Sequence, residues 1–135
     1  MNTPPPKCMC SSNEDAGPSA LVYPCSGSAD VGEIADHAAR KLDADNKAEM
    51  SCLAGVGGRV PGLMAKAAAA PALIAINGCP HDCATQTLQL AGFPPEHSVR
   101  VTELGFKKGQ SPATDTAVQT VVRHVETLLA SSSQS

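Results

Sequence analysis

Residues 72–76 read Ala-Leu-Ile-Ala-Ile, apolar at every position, so a strand here has no wet face to offer. Such a strand belongs in the middle of a parallel sheet with helices packed on both sides. The segments around it fit that placement. Ala20-Leu21-Val22-Tyr23 is a second apolar run that stops at Pro24, and Ala48 to Leu53 is a third, diluted by Glu49 and Ser51. Val99 and Val101 alternate with Arg100 and Thr102, the pattern of an edge strand. Between the runs lie helical periodicities. Val31, Ile34, Ala35, Ala38 and Leu42 share one face, with Ser28 or Asp30 as the cap. Pro61 opens a helix to Ala70 with Leu63, Met64 and Ala67 inward, after a loop at Gly55, Gly57 and Gly58. Pro80 opens another that ends near Gly92. The last carries Val118, Val121, Val122, Val125, Leu128 and Leu129 as one stripe. Strand and helix alternate throughout, which predicts a three-layer α/β fold: a mostly parallel sheet of about four strands with helices on both faces.

A chain of 135 residues holds one such domain and little else. The expected domain is residues 19–130. Residues 1–18 are rich in Pro and Ser with almost nothing apolar to bury, so they read as a flexible tail that carries Cys8 and Cys10; residues 131–135 read as a short polar tail. Aromatic residues are 2% of the chain and the net charge is −3, which leaves neither the stacking platforms nor the basic footprint of a nucleic-acid binder. The longest apolar stretch is broken by Pro71 and preceded by Lys66, so no membrane span is expected. The N-terminus lacks an apolar leader, and the expected location is the cytoplasm. Six cysteines in a reducing compartment point to metal binding or redox chemistry before structural disulfides.

Cys25, Cys52 and Cys79 fall at equal intervals, each at or just after the end of an expected strand. In an open parallel sheet all carboxyl ends lie along one edge, where ligands bind. Cysteines far apart in sequence are thereby expected at one edge. Cys83 joins them: in Cys79-Pro80-His81-Asp82-Cys83 the two sulfurs are an i,i+4 pair on the helix opened by Pro80. Four sulfurs converging on one point suit tetrahedral Zn²⁺, and helix N-termini facing the same edge favour thiolate over thiol. The plainer alternative is that these are small buried apolar residues. His81 offers a nitrogen inside the same turn, although a histidine at an exposed helix start is ordinarily solvated. Cys8-Met9-Cys10 is a soft-ligand pair suited to Cu(I) or Zn²⁺ capture and handover, or simply a tail with incidental thiols. Lys107 and Lys108 read as a solvated pair, yet a four-thiolate zinc centre carries net −2 that a nearby lysine offsets.

Four motifs taken together, Cys25-Ser26-Gly27-Ser28-Ala29-Asp30, Cys52-Leu53-Ala54-Gly55-Val56-Gly57-Gly58, Asn77-Gly78-Cys79-Pro80-His81-Asp82-Cys83 and Thr102-Glu103-Leu104-Gly105-Phe106-Lys107-Lys108, resemble the DGC-domain family of bacterial zinc-binding proteins. The resemblance implies that Cys25, Cys52, Cys79 and Cys83 are the zinc ligands. The family's Asp-Gly-Cys triplet reads Asn77-Gly78-Cys79 here, leaving an amide that can bond to a thiolate or cap the following helix. The leading expectation is a cytoplasmic zinc protein for storage, sensing or transfer, with a metal-donor or metal-acceptor protein as partner. The alternatives use the same cysteines. A thiol enzyme resembling arsenate reductases or low-molecular-weight phosphatases would use Cys25, but the arginine that ends those loops would fall at Val31. A Cys79–Cys83 disulfide relay and an iron–sulfur centre are the others.

Overall fold

Along the two central strands, successive side chains enter two different apolar clusters. The computed structural model describes residues 20–133, with strands β1 (Leu21–Pro24), β2 (Glu49–Met50), β3 (Leu73–Asn77) and β4 (His97–Arg100). Val22, Ile74 and Ile76 belong to one cluster, while Leu21, Tyr23, Leu73 and Ala75 belong to the other. Period-two alternation with both faces buried is the signature of a sheet covered on each side. The sheet runs β2-β1-β3-β4, and every neighbouring pair is parallel.

Helices α1 (Asp30–Ala44) and α5 (Asp115–Ser133) cover the first face. Helices α2 (Leu53–Gly57), α3 (Pro61–Ala69) and α4 (Cys83–Leu90) cover the second. The result is the expected three-layer arrangement. From β1 the chain passes through α1 to β2, then crosses back through α2 and α3, on the other face, to β3. Reversing both direction and face keeps each crossover right-handed. Burial holds α1 in place rather than its cap. Ala29 at the N-cap makes no side-chain bond, whereas Val31, Ile34 and Leu42 are fully buried at roughly 1.5–3 kcal/mol each. A cap is worth only about 1 kcal/mol.

Five local expectations are corrected. Neither Ser28 nor Asp30 caps α1; Asp30 is its first residue. The Gly55-Gly57-Gly58 stretch is not a plain loop, because residues 53–57 wind into α2 with Cys52 as the cap. A Cβ at Gly55 would lie 1.9 Å from Leu63 Cδ1, so a larger residue there would force the Leu63 side chain to move where α2 meets α3. The second strand is shorter than Ala48 to Leu53. Ala20 and Val22 accept N–H groups from Glu49 and Ser51, so Pro24 comes next in that ladder, and it has no N–H for the Ser51 carbonyl. Finally, Val101 lies in a 3-10 turn (Val101–Leu104) after β4, and α4 begins at Cys83 instead of Pro80. Cys8, Cys10 and the rest of the 1–18 tail lie outside the described residues.

The carboxyl ends of β1 and β3 meet through glycines. A Cβ on Gly78 would stand 2.8 Å from Gly32 N, and one on Gly32 would stand 2.8 Å from Gly27 O. Backbone occupies the space a side chain needs. Gly78→Ala is therefore expected to destabilise the protein by about 1–3 kcal/mol, the usual cost of overpacking. Urea unfolding should show a lower midpoint with an unchanged slope.

Candidate metal centre at the sheet edge

The strand order reverses between β1 and β3, and the crevice outside the carboxyl ends at such a point is where open α/β sheets bind ligands. Cys25 follows β1 directly. Its N–H bonds to Ile76 O at 3.0 Å, and its Sγ accepts the Gly78 N–H at 3.3 Å. The chain then turns through Ser26 at φ 51°, a left-handed conformation, into α1. Cys52 follows β2 and caps α2, its Sγ accepting the Gly55 N–H at 3.3 Å. Both sulfurs are half-buried, and both residues line a cleft of about 530 Å³ together with Ser26, Asp36, Arg40 and Thr87.

Asp36 organises the α1 wall of this cleft. It accepts Ser26 Oγ at 2.7 Å and Arg40 Nε at 2.7 Å. Burial works against its charge, but the bonds from Arg40 and Ser26 outweigh it and hold the carboxyl below the usual range. The Asp36–Arg40 pair has ordinary i,i+4 helix spacing; its place beside Cys25 follows only from the β1–α1 turn.

Cys79 and Cys83 are not among the residues lining that cleft. Cys79 is half-buried on the α1–α5 side, with Lys108 Nζ 3.9 Å from its Sγ. Cys83 is exposed at the start of α4, and His81 is exposed in the turn before it. Among the described residues, no three His, Cys, Asp or Glu side chains are grouped to hold a metal ion. The structure thus brings Cys25 and Cys52 to one cleft and leaves Cys79 and Cys83 on the next loop along the edge. All four cysteines nevertheless follow carboxyl ends of the sheet, and two of the sulfurs already accept backbone N–H groups.

Three further residues fix the surrounding loops. Asn77 is fully buried and touches no cysteine sulfur through its hydrogen bonds. Its Oδ1 takes the Thr85 N–H at 3.1 Å, and its Nδ2 donates to Thr85 Oγ1 at 2.9 Å and Val99 O at 3.1 Å. Of the two roles expected for this amide, capping the next helix is the one seen. Arg100 forms a bidentate pair with Asp82, Nε to Oδ1 at 2.7 Å and Nη2 to Oδ2 at 2.6 Å. The pair lowers the Asp82 pKa and raises that of Arg100. In the sequence Arg100 looks like an ordinary outward residue of an edge strand, so nothing there marks this role.

Asp30 clamps the loop that carries Lys108. Its carboxylate accepts the N–H groups of Gly109 and Ser111, both at 2.8 Å.

The fold and its edge define an α/β protein with four cysteines along the carboxyl edge of a parallel sheet, two of them in one cleft. The chain belongs to the DGC domain family, whose model matches residues 21–125. It is also similar to the anaerobic and virulence modulator AnvM of Pseudomonas aeruginosa, 41% identical over 91 residues, covering 67% of this chain and 70% of that protein. No solved structure matches the chain. No helix of the described residues is long and apolar enough to cross a membrane.

The Asp30 clamp gives a pH prediction. The bonds from Gly109, then Ser111, hold its pKa below the ordinary carboxylate value. A lowered carboxyl adds stability above its unfolded pKa and loses it as the pH falls through the folded one. Asp30→Asn should therefore be less stable than the wild type near neutral pH, and the difference should shrink in acid. Thermal melts of both proteins from pH 7 down to pH 3 check this; a gap independent of pH would exclude the clamp.

Proposed function

We propose that this protein binds one Zn²⁺ through Cys25, Cys52, Cys79 and Cys83, in the cytoplasm, and serves in metal sensing, storage or transfer. The observation that carries the reading is the pair Cys25 and Cys52. Both lie at the sheet's carboxyl edge, both line one cleft, and each accepts a backbone N–H. Cys79 and Cys83 are supplied by the loop after β3, whose Gly78 already donates to Cys25. Lys108 stands where it offsets the charge of a thiolate-rich site.

The core supports a role beyond holding the fold together. Two apolar clusters secure the sheet on both faces, and Cys25 and Cys79 pack only as partly buried residues against them, so the core is far larger than that of a zinc finger. A relative named as a modulator accords with sensing more than with catalysis. The phosphatase-like alternative loses support, because Val31, at the position its arginine would need, is fully buried in the core.

Protein purified under reducing conditions should contain one zinc per chain by elemental analysis and show no visible absorbance. Cys25→Ser should lose most of that zinc, since a hydroxyl is a harder and less acidic donor. Iron with a brown absorbance band would replace zinc by a cluster. Rapid alkylation of Cys25 while zinc remains bound would favour the thiol enzyme instead.

A further inference from the structure

Local sequence and structure disagree over residues 80–82. Pro80 is pre-set for the first turn of a helix, and neither His81 nor Asp82 forbids one. The chain makes a tight turn there instead. Asp82 N bonds to Cys79 O at 3.2 Å, and Asp82 takes φ 54°, ψ 42°. Aspartate enters the left-handed region more readily than most residues, but it remains a minority conformation, and here the side chain and the neighbouring backbone are held in it.

Two contacts hold them there. Arg100, fixed on β4 and also bonded to Glu103 at 3.2 Å, grips both Asp82 oxygens. Asn77 Oδ1 takes the Thr85 N–H, the group that would bond to the His81 carbonyl if α4 wound back to Pro80. We infer that Arg100 is a positioning residue for metal capture: through Asp82 it keeps residues 79–82 out of α4 and so sets the spacing of Cys79 and Cys83. This deepens the zinc reading and rests on it. If the turn rewound, the two cysteines would become an i,i+4 helical pair and present the metal with a different bite. Apparent affinity then falls by the fraction of molecules that leave the turn.

Glycine separates this role from a merely stabilising ion pair. It adopts the left-handed conformation freely and carries no carboxylate. In the full chain, Co²⁺ and Cd²⁺ competition titrations should show Arg100→Gln binding several-fold more weakly than the wild type. Asp82→Ala should weaken binding similarly. Asp82→Gly should bind as the wild type does, and adding it to Arg100→Gln should restore the affinity. A second readout needs no metal: a strong intraresidue HN–Hα Overhauser peak at Asp82 marks its positive φ, and Arg100→Gln should lose it.

Wild-type affinity in Arg100→Gln overturns the inference, and so does a double variant that stays weak. If Arg100→Gln does not fold, the contrast between Asp82→Gly and Asp82→Ala decides alone; equal affinities in those two would refute it. A wild-type chain that takes up neither ion sinks the zinc reading and, with it, the capture role. The Overhauser peak then judges by itself whether Arg100 sets the turn.

Discussion

The contact between Gly78 and the first turn of α1 governs the arrangement of the sheet edge. It packs backbone on backbone, with Gly32 N and Val31 C each 2.8 Å from where a Gly78 Cβ would lie. That approach delivers the Gly78 N–H to Cys25 Sγ and ties the ends of β1 and β3 together where the strand order reverses. It also explains why a glycine must precede Cys79. The residue just before Gly78 is free to differ from an aspartate, because here it is an amide that donates to Val99 O while accepting from Thr85 N. An ionised carboxylate has no proton to give that carbonyl.

From this joint the cysteines are set out by separate anchors. Backbone N–H groups hold Cys25 and Cys52, Asp30 clamps the loop that places Lys108 near Cys79, and the Asp82–Arg100 pair fixes the turn into Cys83. The first two sulfurs are in place in one cleft, whereas the second two depend on loop geometry. On the zinc proposal, a site assembled in this way would couple metal loading to the position of a loop, which suits an ion that is sensed or passed on.

The layers of the fold were legible in the sequence because hydrophobic period reports burial directly. The all-apolar run around Ile74 and the stripe from Val118 to Val125 lie where that period places them. Most of the errors have a different cause, a contact distant in sequence. Nothing near Pro80 shows that Arg100 will hold Asp82 left-handed, and nothing near Ser28 shows that Asp30 will turn its carboxylate to Gly109. Cys52 as a cap was hidden for another reason, since cysteine is not a usual capping residue and the glycines after it resemble a loop. At the site, spacing placed the cysteines along one edge but could not divide them between the cleft and the adjoining loop.

Zinc K-edge X-ray absorption of the reduced, metal-loaded full chain tests the central claim most directly. Ligation by Cys25, Cys52, Cys79 and Cys83 predicts a single shell of four sulfur scatterers at about 2.3 Å. A shell dominated by nitrogen or oxygen at about 2.0–2.1 Å, with two sulfurs or fewer, would contradict it.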